Sequence, residues 1–228
     1  MPVEEPIESV RVVYADHAVV VLDKPAGLLS VPGRGPDKQD CLSARVQILF
    51  PDALVVHRLD MATSGLLVMA RGAAAQRALS RAFAERRVQK RYTAWVNGVV
   101  AAPLGVWQEI DLPIAADWAR RPLRIIDRQH GKASHTRFMA EYVDAQNQVS
   151  HVVLEPLTGR THQLRVHLQA IGHPILGDSL YAPPHILAKA ARLMLHASAL
   201  TFAHPDDDRP LRFTSQRLKC GCDYPIKC

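Results

Sequence analysis

The sequence lacks several features that mark common classes of protein. No apolar run approaches the roughly 20 residues needed to cross a bilayer, and the acidic first eight residues lack the cationic and apolar regions of a signal peptide. Aromatic residues make up only 6% of the 228 residues, against 48% apolar and 22% charged residues. This composition excludes collagen-like and wholly disordered chains. We therefore expect a cytoplasmic protein with a sizeable core.

Signatures of nucleotide cofactors and of the commonest serine hydrolases are also missing. The chain has no Gly-x-Gly-x-x-Gly segment, no Walker loop and no Gly-x-Ser-x-Gly elbow. Only four cysteines occur, and Cys220, Cys222 and Cys228 lie in the last nine residues. Because their spacing matches no common zinc finger or ribbon, we predict a reduced tail over residues 216–228.

Positive charge is concentrated in two stretches of the chain. The net charge is +6, but residues 57–100 carry eight Lys and Arg against two acids, and residues 118–137 carry six against one. These stretches contribute +6 and +5, so the remainder sums to −5. Such asymmetry indicates either a polyanionic partner, with RNA or DNA first, or a basic surface kept for solubility. Charge alone leaves both interpretations open.

The hydrophobic pattern predicts many short strands and few helices. Two β-rich runs flank residues 15–17 and predict a hairpin, and short turns separate most later strands. This arrangement favours an α+β fold around a mixed, largely antiparallel sheet, in one domain or a domain with two lobes, over a doubly wound fold. Further strands are predicted at 65–70, 88–96, 105–114, 137–143, 151–157, 193–203 and 211–214, and helices at 42–50, 73–86, 161–170 and 185–192.

One carboxylate lies in a polar loop between two apolar runs. Asp60 follows a strand-like approach at residues 55–56 and precedes the apolar run at 66–69, with two hydroxyl residues in between. A carboxylate on such a loop acts as a base or nucleophile when a cation holds it ionised. An Asp beside Ser or Thr at a turn is also a common structural cap, and spacing alone favours the cap.

Three basic side chains gather at a predicted helix start. Arg160, His162 and Arg165 follow or end the turn at residues 158–160, which is consistent with a phosphate or carboxylate site. Spacing alone favours an ordinary polar helix start. His162 and His167 are five residues apart, off a common helical face, so metal binding there is disfavoured.

The segment at residues 57–67, His-Arg-Leu-Asp-Met-Ala-Thr-Ser-Gly-Leu-Leu, resembles the catalytic motif of the RluA family of pseudouridine synthases. Further blocks resemble the other motifs of that family and follow in its order, at residues 23–28, 90–94, 159–178 and 193–197. Residues 30–34 and 111–122 resemble the branch that modifies both 23S ribosomal RNA and the anticodon stem-loop of transfer RNA. No S4-like RNA-binding domain is expected before the first motif.

The resemblance implies isomerisation of uridine within RNA, without a cofactor or a metal. The N1–C1′ glycosidic bond breaks, the uracil turns, and C5 bonds to C1′. By resemblance Asp60 is the essential carboxylate, which either attacks as a nucleophile or removes a ribose proton. Arg165 matches the cation that orients this carboxylate, and Tyr92 matches the aromatic residue that stacks on the target uracil.

The resemblance also implies that the target uridine leaves its stack before it reacts. Arg58 matches the residue that fills the vacated position, and Leu195 lines the uracil pocket. We expect further RNA contacts from His57, Thr63, Arg160, His162, Arg34 and Lys90. Phosphates beside the flipped base would be bound by Arg77, Arg81, Arg86, Arg87, Arg91, Arg120, Arg121, Arg124 and Arg128.

Two other functions remain open at this point. One is a non-catalytic RNA-binding protein or RNA chaperone on the same fold, and the other is a zinc-dependent hydrolase that uses the histidines and the cysteine tail. The combination of Asp60, Tyr92 and Arg165 favours the enzyme, because a pure binder would not need it. We expect RNA as the partner, no membrane association, and a monomer.

Overall fold

The computed structural model describes residues 10–215, which divide into two units. The first unit contains the chain up to Lys90 together with Ala197–Ser215, and the second contains Arg91–His196. Within residues 10–215, no helix is both long enough and apolar enough to cross a membrane. The cysteine tail predicted at residues 216–228 lies outside the described residues.

Short strands dominate both units. In chain order the strands are β1 (Arg11–Ala15), β2 (Val19–Lys24), β3 (Ala53–Val55), β4 (Ser64–Arg71), β5 (Gln89–Asn97), β6 (Gln108–Asp111), β7 (Ile114–Ala116), β8 (Arg124–Ile126), β9 (His135–Asp144), β10 (Val149–Pro156), β11 (Leu195–Ala203) and β12 (Pro210–Thr214). The α-helices are α1 (Leu42–Leu49), α2 (Gly72–Ala84), α3 (Gln163–Ala170) and α4 (Pro184–Leu187).

The first unit is organised around β4, which is buried along nearly its whole length. Its strands follow the order β1-β2-β4-β11, with β3 added to β4 and β12 added to β11. Helix α2 covers this sheet, packing Ala75 and Leu79 in a core with Val19 and Val68. Because β4 contacts protein on both faces, its sequence is a continuous apolar run rather than an alternating one.

The second unit contains an antiparallel sheet in the order β5-β10-β9-β6 and a separate hairpin of β7 and β8. The indole of Trp95 on β5 is fully buried and lies edge-on to Tyr142 of β9. Buried and partly buried residues alternate along β9 from His135 to Ala140, as expected of a strand with one covered face. Helix α3 contacts β10 and β8.

The predicted α+β class with a largely antiparallel sheet is confirmed, as are the first hairpin and the helices α1, α2 and α3. Three local predictions are wrong. The strand predicted at 105–114 is broken into β6 and β7, because Pro113 between them has no N–H for a ladder. The basic segment contains strand β8, and the helix predicted through Arg192 ends at Leu187.

Gly65 at the start of β4 lies so close to β11 that a side chain does not fit. Its φ is +110°, and an added Cβ would lie 2.6 Å from the backbone nitrogen of Ala197 in β11. Gly65→Ala should therefore lower the free energy of unfolding by at least about 2 kcal/mol, since it adds a backbone clash to an unfavourable φ. Urea denaturation followed by circular dichroism measures this change.

Gly72 provides the matched control, because its φ is +77° but an added Cβ would meet nothing within 4 Å. Gly72→Ala should cost only about 1 kcal/mol, the conformational penalty alone. Equal losses in the two variants would show that the approach of β4 to β11 does not require glycine.

Candidate active site

Asp60 is half-buried in the loop at residues 56–63, between β3 and β4 of the first unit. The preceding residue, Leu59, is buried and anchors the loop. The hydroxyl of Ser30 donates to the Leu59 carbonyl at 2.7 Å and accepts from its amide at 3.1 Å. On the other side, the Thr63 amide donates to the Asp60 carbonyl at 3.0 Å. The backbone that carries the carboxylate is thus held on both sides.

Lys24 at the end of β2 is completely buried and binds the same loop. Its ammonium donates to the carbonyls of Pro25 (2.8 Å), Leu28 (2.7 Å) and Met61 (3.1 Å). Burial lowers the pKa of Lys24 to about 8, and the negative charge of Asp60 acts against this decrease. The Lys24 ammonium is therefore fixed where it interacts electrostatically with the Asp60 carboxylate. Its three hydrogen bonds join the loop at residues 56–63 to the loop that follows β2.

His57, at the start of the same loop, is a neutral imidazole that connects the loop to β4 and α2. Its Nε2 accepts from the amide of Val68 at 3.1 Å, and its ring stacks on Phe83 with centroids 4.4 Å apart. Burial, with a smaller effect from the Lys90 cation, lowers the pKa of His57 to about 3. Burial also lowers the pKa of Lys90. These contacts fix the start of the loop, and the expected contact of His57 with RNA stays a prediction.

The remaining site residues of the first unit differ in exposure. Arg58 is exposed, one residue before the buried Leu59 and two before Asp60. Thr63 is buried, so its side chain lies in the loop rather than on the surface. Arg34 is exposed on the segment between β2 and α1. The loop therefore presents a planar cation to solvent beside a half-buried carboxylate.

In the second unit, Arg165 on α3 is buried and makes a bidentate ion pair. Its Nε and Nη2 donate to the two carboxylate oxygens of Asp178 at 2.8 and 2.6 Å. The amides of Leu180 and Tyr181 also donate to Asp178, at 2.9 and 3.2 Å. The guanidinium carbon lies 5.0 Å from the centroid of the Tyr181 ring. These contacts fix the plane of the guanidinium.

Tyr181 connects this ion pair to His162 and to the β7–β8 hairpin. Its hydroxyl accepts from the Arg124 amide at 2.9 Å and lies 2.6 Å from Nδ1 of His162. His162 precedes α3 with a left-handed φ of +58°. A non-glycine residue in this region is uncommon and is retained where surrounding contacts determine it. The predicted cluster at the helix start is therefore an ordered network rather than a loose surface.

Three further predicted site residues lie in the second unit and differ in their burial. Tyr92 is half-buried on β5, opposite Leu154 of β10. Leu195 is buried on β11. Arg160 is exposed and donates from Nε to the Ala133 carbonyl at 3.3 Å. The buried Gln163 accepts from the Arg160 amide at 3.0 Å, which orders the turn before α3.

The structure therefore groups the predicted residues by unit. His57, Arg58, Asp60 and Thr63 lie on one loop of the first unit, whereas Arg160, His162 and Arg165 lie around the start of α3 in the second. Sequence reasoning did not assign Lys24, Ser30, Asp178 and Tyr181 to the site. Two of them had a signal in the sequence. Lys24 lies at the end of an apolar strand, and Asp178 is an acid thirteen residues after Arg165.

The coupling of Lys24 to Asp60 can be measured directly. With lysine labelled with carbon-13 at the ε position, the Lys24 signal should titrate near pH 8, while exposed lysines titrate near 10.4. Because the Asp60 charge raises the pKa of Lys24, Asp60→Asn should lower it further. Asp37→Asn, an exposed site elsewhere in the unit, is the control. An unchanged Lys24 titration in Asp60→Asn would contradict the proposed electrostatic contact.

Comparison with known sequences identifies relatives over most of the chain. A family model described as RNA pseudouridylate synthase matches residues 18–170. The dual-specificity RNA pseudouridine synthase RluA of Yersinia pestis is 46% identical over 213 residues, which cover 93% of this chain and 99% of that protein. The protein of the same name from Escherichia coli strain K12 is 47% identical over 195 residues, covering 85% of this chain and 87% of that protein.

Solved structures are also similar to this chain over most of its length. The chain is similar to human RNA pseudouridylate synthase domain containing 1, with a TM-score of 0.75, 30% identity, and coverage of 94% of this chain and 86% of that chain. Human RNA pseudouridylate synthase domain containing 4 has a TM-score of 0.71 at 24% identity and shares the fold, over 92% of this chain and 89% of that chain. The chain belongs to the RNA pseudouridylate synthase family.

Proposed function

We propose that this pseudouridine synthase isomerises uridines in 23S ribosomal RNA and in the anticodon stem-loop of transfer RNA, with Asp60 as its essential carboxylate. The sequence relatives are named as dual-specificity RNA enzymes, which supports more than one class of RNA substrate. The observation that carries the proposal is the half-buried Asp60 on a loop held by Lys24 and Ser30. A carboxylate fixed in this way is preorganised for reaction at one position.

The chemistry needs one group that acts on the nucleoside and a site that retains the detached uracil. Asp60 either attacks as a nucleophile, forming a bond that breaks again before the product leaves, or removes a ribose proton that it later returns. In both routes the N1–C1′ bond breaks before C5 bonds to C1′. C5 then loses its hydrogen as a proton, and N1 gains a proton. Since the loop backbone is hydrogen-bonded on both sides of Asp60, the backbone that carries the carboxylate does not have to be ordered when substrate binds.

Arg165 and Tyr92 complete the proposed catalytic set. By resemblance Arg165 is the cation that orients the Asp60 carboxylate, and its ion pair with Asp178 and its contact with the Tyr181 ring hold the guanidinium in one plane. Tyr92 offers a half-buried aromatic ring suited to stacking on uracil. Leu195, which is buried, supplies apolar surface for the same base.

The target uridine must leave its stack to reach a half-buried carboxylate. Arg58 is suited to take its place, because a planar guanidinium both stacks on bases and donates hydrogen bonds. Its exposure on the Asp60 loop supports this role. Entry of Arg58 into the RNA and capture of the uridine by Asp60 would then be two consequences of one docking event.

Two exposed basic surfaces support RNA binding outside the reacting base. In the first unit, Arg77 and Arg81 lie on the exposed side of α2, opposite the buried Leu79. In the second unit, Trp118 between β7 and β8 is 73% exposed, and the Arg121 guanidinium lies 3.9 Å from its ring centroid. Arginines supply phosphate contacts, and a cation-backed indole offers a surface for an unpaired base.

We also propose that the enzyme acts as a cytoplasmic monomer. A single chain carries the whole proposed set of Asp60, Tyr92 and Arg165, so the chemistry requires no second copy. The cytoplasm is where unmodified ribosomal and transfer RNA would be met.

Asp60→Asn should abolish turnover, with a loss of roughly 1,000-fold or more, while RNA binding stays largely intact. Turnover is measured as tritium released from RNA labelled at uridine C5, because formation of the C5–C1′ bond expels that hydrogen. Binding is measured by filter retention of the same RNA. Asp37→Asn, in an exposed segment, serves as the matched control and should retain activity.

If wild-type protein bound these RNAs tightly but released no tritium from them or from total cellular RNA, a non-catalytic RNA-binding protein would replace this proposal. Equal losses of binding and turnover in Asp60→Asn would argue that Asp60 serves the fold or RNA docking rather than chemistry.

Trp118→Ala should weaken binding of the anticodon stem-loop by roughly 5- to 150-fold, the range expected for loss of one base–aromatic stack. The rate at saturating RNA should be unchanged, because the residue acts on binding alone. Leu104→Ala, which truncates another exposed apolar side chain of the same unit, is the control. Unchanged affinity in Trp118→Ala would exclude the indole from the RNA interface.

A further inference from the structure

We propose that the first unit binds one divalent transition-metal ion, of the zinc class, between the β1–β2 turn and the β11–β12 turn. The ligands are His17 from the first turn and His204 and Asp206 from the second. Each offers one ligand atom, and these three atoms lie within 4.8 Å of one another. Nothing in the chemistry proposed for Asp60 uses these residues.

The distances are compatible with capture of an ion after small side-chain movements. Nε2 of His17 lies 2.7 Å from Oδ2 of Asp206, and Nδ1 of His204 lies 3.2 Å from Oδ1 of Asp207. Ligand atoms around a zinc ion with bonds of about 2.0–2.2 Å lie roughly 3–3.5 Å apart. The His17 side chain is 76% exposed, so its rotation meets little resistance.

His204 makes the carboxylate contact that is typical of a metal-bound histidine. Its side chain is only 1% exposed, and Nε2 lies 3.1 Å from Oδ2 of Asp16. A metal-bound histidine typically donates its second ring N–H to a carboxylate in this way, which fixes the ring and leaves the other nitrogen for the ion. In His204 that other nitrogen is Nδ1, which lies 3.2 Å from Oδ1 of Asp207 and accepts from the Asp206 amide at 3.3 Å, so an ion would replace this amide hydrogen bond.

Asp16 is suited to this supporting role because its carboxylate is fixed by three hydrogen bonds. It accepts from the Tyr14 hydroxyl at 2.7 Å and from the amides of Ala18 and Val19 at 2.9 and 2.8 Å. The cluster also contains a cation, Arg209, whose guanidinium lies 3.3 Å from the Asp16 carboxylate and 3.4 Å from the Asp207 carboxylate. The acidic charge around His204 is thus only partly neutralised by protein groups.

The position of the cluster argues for a structural ion. Along the β2–β4 ladder, Lys24 pairs with Gly65 at the end next to the Asp60 loop, and Val19 pairs with Ala70 at the other end. His17 lies beyond Val19, so about 17 Å of strand separates the two sites. An ion here would join two turns that are far apart in sequence, and it would not reach the reacting uridine.

The donor set selects the class of ion. Two imidazoles with carboxylates favour Zn²⁺, Ni²⁺ or Co²⁺ over Mg²⁺ and Ca²⁺, which prefer oxygen ligands alone. Because the terminal cysteines would also bind these metals, the test uses the full chain with Cys220, Cys222 and Cys228 changed to Ser.

The experiment is titration calorimetry of the metal-free full chain with Zn²⁺, accompanied by thermal melting. We expect one Zn²⁺ per chain, a melting temperature that rises with zinc, and no such rise with Mg²⁺. His17→Ala and Asp206→Asn should each weaken zinc binding by at least about tenfold. Asp208→Asn removes the same charge from the same turn but no ligand, and it should bind zinc as the parent does.

Equal zinc affinity in the parent, His17→Ala and Asp206→Asn would overturn the proposal. So would the absence of saturable zinc binding in the chain that lacks the three terminal cysteines. Since both ligand variants change exposed side chains, their metal-free melting temperatures should match the parent, and this separates loss of the site from loss of the fold.

Discussion

A single buried ammonium group, that of Lys24, determines the geometry on which the proposed chemistry depends. Its three hydrogen bonds go to carbonyls of two separate loops, and one of them is the Met61 carbonyl next to Asp60. A buried cation is costly unless all its donors are satisfied, so the two loops and the ammonium stabilise one another. Ser30 and His57 then fix the rest of the Asp60 loop.

In the second unit the group that collects several hydrogen bonds is a carboxylate, that of Asp178, instead of an ammonium. The Asp178 carboxylate accepts from Arg165 and from two backbone amides, and Tyr181 extends the network to His162 and the β7–β8 hairpin. A planar guanidinium that is bound through two of its nitrogens and lies against an aromatic ring keeps one orientation. Each unit thus holds a buried cation by hydrogen bonds: Lys24 by three backbone carbonyls, and Arg165 by the Asp178 carboxylate.

The fold class could be predicted because it depends on local patterns, whereas the role expected of Asp60 came from resemblance to a family motif, since spacing alone favoured a structural cap. The continuous apolar run of β4 and the residues around Asp60 are both visible in short windows of sequence. What the sequence could not show depends on long-range contacts. The hydrogen bond from Lys24 to Met61, and the meeting of His17 with His204, 187 positions apart, arise only when distant strands pair. Pro113 was a local signal of a strand break that the periodicity obscured.

The most direct test of Asp60 as the reacting carboxylate is the structure of the Asp60→Asn variant bound to an anticodon stem-loop. We expect one uridine out of its stack, with C1′ about 3–4 Å from the side chain of residue 60, the Tyr92 ring on the uracil, and Arg58 in the vacated position. A target uridine that stays stacked in the loop, or that lies away from Asp60 and Tyr92, would contradict the claim that these residues act together on a flipped base.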